Sequence, residues 1–229
     1  MMDSQTERGV FDRSAAITRS LLGYGVLSGV FYLVVGLTLA STRDGFDLAT
    51  HPLSLLMLGE GGWMQRANLL LSGVMVIAAS IGIRRAMAGS RVRAGPLVLL
   101  FGISLIVAGL CPPDPMAGFP PGTVEGPMTT SGIIHLAAGA VGFLALAGAA
   151  WVMASWQRQE NRPVAALLSR LSSLVILIGF LAGAAITVQP AGVALLWLAV
   201  VVGWVWLAAT SIVLYRIVPH PDSDLVPHH

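Results

Sequence analysis

LLGYGVLSGVFYLVVGLTLA, from Leu21 to Ala40, is a run of twenty residues without a charge. A helix rises about 1.5 Å per residue, so this run crosses roughly 30 Å, the hydrocarbon core of a bilayer. A secretory leader is the rival reading of an apolar run near an N-terminus. This run is longer than a leader's usual apolar core, and others like it follow, so it reads as the first of several spans. Working outward, comparable stretches recur at about Trp63–Ile83, Ala94–Leu110, Ile133–Met153, Leu171–Val188 and Ala191–Leu214. The expectation is an all-α polytopic membrane bundle of six transmembrane helices over residues 21–215. It is preceded by a polar segment, 1–20, and followed by a tail, 216–229. The end of that tail, Leu225–His229, is either native or an added remnant, and its histidines carry no site argument.

Composition agrees. Only 10% of the 229 residues are charged, 55% are hydrophobic and the mean hydropathy is +0.80. Soluble domains carry about 25% charged residues, so much of this surface must face lipid. A pI near 9.2 and net charge of +2 would ordinarily raise nucleic-acid binding. The placement of the charge argues instead for topology and against a nucleic-acid partner. All thirteen basic residues are Arg, read as codon bias. Eleven fall on one side: Arg8, Arg13, Arg19, Arg84, Arg85, Arg91, Arg93, Arg158, Arg162, Arg170 and Arg216. Arg43 and Arg66 fall on the other. Arg-rich segments stay in the cytoplasm, so both termini are expected inside a bacterial inner membrane, with Trp151, Trp156 and Tyr215 as inner interfacial anchors. The single Cys111 excludes an intramolecular disulfide and a cysteine zinc cluster.

Two segments admit more than one reading. Residues 161–173 space Val164, Leu167, Leu168 and Leu171 as a helix face. That face either lies flat on the inner leaflet or extends the fifth helix. Gly179 with Gly183, Ala138 with Gly142 and Ala145 with Ala149 are small residues one helical turn apart. They suit close helix packing inside one bundle, with a homo-oligomeric face as the alternative.

The outer side holds the chemistry. Its loops, 41–62 and 111–132, and the adjoining helix ends carry Asp44, Asp47, His51, Glu60, Asp114, Glu125 and His135. Asp47 and His51 are four apart. Pro52 then opens a leucine-rich stretch that reads as a short amphipathic helix ended by the glycines around Glu60. Asp114 sits among Pro112, Pro113 and Pro115, directly after the third span. His135 begins the fourth, so Asp114 and His135 are expected to face one another across the hairpin. A carboxylate beside an imidazole suits acid–base work. The plain alternatives are a solvated loop acid, a turn cap and an interfacial histidine. Gln65, Arg66 and Asn68 form the deepest polar group on this side. Arg66 is placed to pair with Glu60 or Asp114, or to hold an anionic head group; a snorkelling interface residue is the plain alternative. Two His with carboxylates permit a metal, but no compact ligand spacing supports one. No phosphate loop, dinucleotide fingerprint, nucleophile elbow or His-Glu-x-x-His motif is present, so no cofactor is implied.

The stretch Asp47 to Trp63, with its His51-Pro52-x-Ser54 and Gly59–Trp63 elements, resembles the first outer loop of the bacterial and archaeal membrane family called domain of unknown function 998. The Asp114 turn and Gly132-x-x-His135 resemble that family's second polar signature. The resemblance covers roughly Leu21 to Leu214. It implies six spans and no established reaction, and it groups Asp47, His51, Asp114 and His135. A more distant likeness, of architecture alone, is to Frag1/DRAM-like families.

Two functions are then expected to compete. In one, an outward-facing pocket at the membrane interface binds or acts on a lipid or isoprenoid-like amphiphile. There Asp114, His135, His51 and Asp47 serve as acid–base groups, and Arg66, Glu60 and Asn68 contact the substrate. In the other, the protein is a non-catalytic, transporter-like or accessory subunit.

Overall fold

The computed structural model describes residues 11–90, 94–124 and 126–222. Arg8, Arg91, Arg93, Glu125 and the last histidines, His228 and His229, lie outside the described residues. Six α-helices account for nearly all of the chain: α1 Arg13–Thr42, α2 Gly62–Ala86, α3 Ala94–Leu110, α4 Thr130–Gln159, α5 Pro163–Ala185 and α6 Pro190–Ile217. Five are long and apolar enough to cross a membrane, and α3 is a shorter apolar helix. The chain is an all-helical membrane protein.

The helices start where capping chemistry allows. The Asp12 carboxylate accepts the Ala15 N–H at 3.0 Å and opens α1. The Thr129 hydroxyl accepts the Gly132 N–H at 3.1 Å and opens α4. Pro163 and Pro190 open α5 and α6, at first-turn positions where their missing N–H costs nothing. Most helices run past their apolar stretches because polar turns at a membrane surface remain helical. Thus α1 begins eight residues before Leu21. The 161–173 stretch is not a separate interfacial helix; α5 runs unbroken from Pro163, with Val164, Leu167, Leu168 and Leu171 exposed along one side. Trp151 and Tyr215 are exposed, as anchors would be, but Trp156 is buried in the core at 8% exposure.

Each helix packs on its neighbours in sequence, and α6 returns to α1, so the six form a closed ring. At the closure the Asp12 N–H donates to the Pro221 carbonyl at 3.0 Å, which puts the two ends of the described chain side by side. The Arg19 guanidinium donates to the Val218 and Tyr215 carbonyls at 2.8 and 3.3 Å, capping the C-terminal end of α6. Arg85 donates to the Thr18 hydroxyl at 2.9 Å and the Ser14 hydroxyl at 2.8 Å, tying α2 to α1 at the same end.

Small residues set the interhelical distances. A Cβ on Gly183 would lie 2.8 Å from the Gly192 carbonyl oxygen, and one on Gly179 would lie 3.0 Å from that of Leu195. These glycines therefore seat α5 on α6. Gly142 seats α4 on Ser104 of α3, and Gly73 meets Gly102 between α2 and α3. The small-residue pairs of α4 and α5 thus serve packing within the ring, where van der Waals contact drives association in lipid.

Candidate functional site

The outer end of the ring is covered by two joined loops. His51, only 4% exposed, is the joint. Its Nδ1 accepts the Asp47 backbone N–H at 2.9 Å. The ring proton is therefore on Nε2, which donates to the Ala117 carbonyl of the second loop at 3.0 Å. Phe46 and Phe119 flank the imidazole with ring centroids 5.3 and 5.4 Å away, and they meet each other edge-on at 5.2 Å. Glycines let the loops touch. Gly45 has φ 72°, and a Cβ there would lie 2.6 Å from Pro121. Arg43, which has no role in the sequence argument beyond its charge, donates to the Leu58 and Leu56 carbonyls at 3.2 and 3.4 Å. It closes the first loop on itself.

The leucines after Pro52 form one 3-10 turn, Leu53–Met57, in place of an amphipathic helix on the interface. Leu53, Leu55, Leu56 and Met57 are all buried, because the turn drives into the ring between α1 and α2. Burying four large side chains there stabilises the cap by roughly 1.5–3 kcal/mol each in area terms.

Asp114 and His135 stitch α3 to α4. Both carboxylate oxygens of Asp114 accept from Thr129: Oδ2 from its N–H at 3.0 Å and Oδ1 from its hydroxyl at 2.6 Å. A negative group at that place also complements the positive end of α4. Ser131 Oγ donates to the Pro112 carbonyl at 2.8 Å. His135 Nδ1 donates to the carbonyls of Cys111 and Ala108 at 2.9 and 3.1 Å, satisfying the exposed end of α3. Asp114 and His135 are thus on the same hairpin, but they do not hydrogen-bond one another. Each is committed to backbone or to a cap.

Below the cap lies a cavity of about 390 Å³. Its mouth is formed by residues 52–55 of the first loop and by Pro113, Asp114, Pro115 and Met116 of the second, with His135 one turn inside. Its wall is aromatic. Tyr32 and Trp204 meet at 5.2 Å, Phe101 and Trp204 at 5.6 Å, and Phe143 stacks on Phe180 at 4.6 Å. Trp204 is about 21 Å along α6 from its outer end at 1.5 Å per residue, so the chamber reaches the middle of the bundle. Tyr32 Oη, Ser104 Oγ and His135 Nε2 belong to lining residues and make no hydrogen bond within the described protein.

The other expected site residues lie elsewhere. Asp47 is exposed, and its carboxylate accepts the Ala49 N–H and the Thr50 hydroxyl at 2.9 and 3.2 Å. Neither Asp47 nor His51 lines the cavity, since both are used in shaping the loop. Glu60 is exposed in a glycine turn and Arg66 is exposed on α2. Among the described residues Arg66 forms no ion pair, so the expected pairing with Glu60 or Asp114 is absent. Asn68 is buried outside the cavity lining, donating to the Tyr32 carbonyl and to Gln65 Oε1, both at 3.1 Å. Among the described residues no group of three or more His, Cys, Asp or Glu is placed to hold a metal. The aromatic wall escaped the sequence argument. Phe101, Phe143, Phe180 and Trp204 stand on three different spacings in four helices, and only ring closure brings them together.

No curated protein and no solved structure matches the chain. A family described as a protein of unknown function, DUF998, matches residues 26–213, which include all six helices, both outer loops and the cavity between them. The chain belongs to the DUF998 family of membrane proteins.

Proposed function

We propose that this protein binds a lipid or isoprenoid-like amphiphile in the outward-facing cavity, with the tail among the aromatic side chains and the head near Asp114 and His135. One observation carries this reading: an aromatic chamber of about 390 Å³ has its few polar groups gathered at one end. Ligand sites are mostly apolar concavities of about 300–1,000 Å³ with a small number of polar groups that fix orientation. Exposed residues of α4 and α5, Leu136 and Ala184, belong to the wall. A side opening there would admit a molecule already in the outer leaflet.

Binding is better supported than acid–base catalysis. Catalysis of that kind needs two titratable groups converging on one reacting atom. Asp114 is engaged by Thr129, and one nitrogen of His135 is engaged by carbonyls, which leaves a single imidazole nitrogen. A carrier would need polar groups continuing to the inner side, whereas the deepest lining residues are Leu146, Val200 and Trp204.

The test is a cavity-filling substitution. Gly139 lines the chamber, and a Cβ there would make ordinary contact with Phe180 at 3.6 Å. Gly139→Leu therefore fills space without disturbing the helix. Amphiphile extracted from the purified protein and quantified by mass spectrometry should fall to background in Gly139→Leu. It should persist in Gly23→Leu, where a Cβ meets nothing within 4 Å. Equal occupancy in the two variants, or none in the unmodified protein, would defeat the reading.

A further inference from the structure

The head-group chemistry of that ligand follows from which hydrogen-bonding groups are left at the mouth, and it rests on the binding reading above. His135 Nδ1 faces two carbonyl oxygens, at 2.9 and 3.1 Å, that can only accept. The ring proton is therefore on Nδ1, and Nε2 of the neutral ring presents a lone pair. Asp114, beside it in the mouth, presents carboxylate oxygens, which accept. Among the described residues no Arg lines the cavity, and the chain has no Lys.

A helix N-terminus in the wall would ordinarily attract an anion. Here that place is taken: Asp114 is bonded to Thr129, the cap of α4, and Gly132 has no side chain to displace it. The mouth thus offers acceptors and negative character, with no cation to balance an incoming anion. Tyr32 and Ser104 hydroxyls deeper in the chamber either donate or accept, and they do not discriminate.

We propose that the cavity takes an amphiphile whose head donates hydrogen bonds and carries no negative charge, a long-chain alcohol or amine, and excludes one ending in phosphate. A donor head satisfies His135 Nε2 and the free lone pairs of Asp114. A phosphate head sets acceptor against acceptor at a partly desolvated site, and specificity arises as much from such unpaired arrangements as from favourable contacts.

The experiment uses the full chain in detergent and native mass spectrometry with dodecanol, dodecylamine and dodecyl phosphate at equal concentration. Dodecanol and dodecylamine should bind, and dodecyl phosphate should bind weaker by about tenfold or more, as expected where a site of acceptors meets an acceptor. In Asp114→Asn, which supplies an N–H donor at the mouth, the phosphate-to-alcohol ratio should rise. Taking the ratio within each variant removes any loss of folded protein. His135→Phe should weaken dodecanol binding while leaving the tail chamber intact. Phosphate binding equal to or tighter than alcohol in the unmodified protein, abolished by Gly139→Leu, would overturn the head-group assignment and leave cavity binding standing. No binding of any of the three probes to the unmodified protein would remove both.

Discussion

Gly132→Ala is the sharpest probe of the α3–α4 hairpin. A Cβ at this position would collide with Asp114 Oδ2 and lie 2.6 Å from Asp114 Cγ. The carboxylate must swing off Thr129, losing the bonds now at 3.0 and 2.6 Å. Both bonds are solvent-accessible, so each contributes about 0.5–1.5 kcal/mol net. Loss of the charge at the start of α4 adds about 0.3–1 kcal/mol. Replacing a helical glycine by alanine returns about 0.5–1 kcal/mol. The net is a destabilisation of about 1–2 kcal/mol. At roughly 2–4 °C per kcal/mol for a chain of this size, Tm should fall by about 3–8 °C. Tryptophan fluorescence in detergent follows the transition. The decisive arm is a double-mutant cycle with Asp114→Ala: once the carboxylate is gone, Gly132→Ala should cost nothing further. Additive losses from the two substitutions would refute the account of Gly132 as the space that Asp114 occupies.

His51→Ala leaves the Asp47 N–H and the Ala117 carbonyl unpaired and opens a hole beside Phe46 and Phe119. It should destabilise the cap by about 2–4 kcal/mol, read as faster proteolysis within 43–61 and 111–129 while the helices stay protected. Gly183→Ala drives a Cβ to 2.8 Å from a backbone oxygen that cannot swing away. It should cost about 1–3 kcal/mol, measured as a lower Tm; a neutral outcome would mean that α5 and α6 are not seated there. Cys111, half-buried at the outer end of α3, should react with a membrane-impermeant thiol reagent added from outside intact cells. Labelling only after the cytoplasmic side is opened would reverse the orientation drawn from the Arg bias.

The spans were legible because a bilayer imposes a length and an absence of charge, and both are written in order along the chain. Ala94–Leu110 stands in the structure with the same limits as in the sequence. Helix ends were less legible, since the first turns of α1 and α5 are polar and hydropathy cannot see them. The candidate site was legible as a list of polar residues in two loops, and less so as an arrangement. Asp114 and His135 do border the cavity, while His51 and Asp47 bind loop to loop. A histidine four residues from an aspartate reads the same whether its ring meets a carboxylate, a backbone N–H or a ligand. Here the ring met the backbone.

By itself the sequence determined that this is a helical membrane protein, where its spans lie and which end carries the polar residues. Those are one-dimensional properties: local hydropathy, local charge and helix-breaking prolines. Only the tertiary structure decided that α6 closes on α1 and that Phe101, Phe143, Phe180 and Trp204 wall one chamber. It also decided that His135 turns its proton towards α3, leaving a lone pair as the group free for a ligand. Those depend on which helix faces which. In lipid that choice rests on close packing and on satisfying each buried polar atom, and neither can be summed along a single segment.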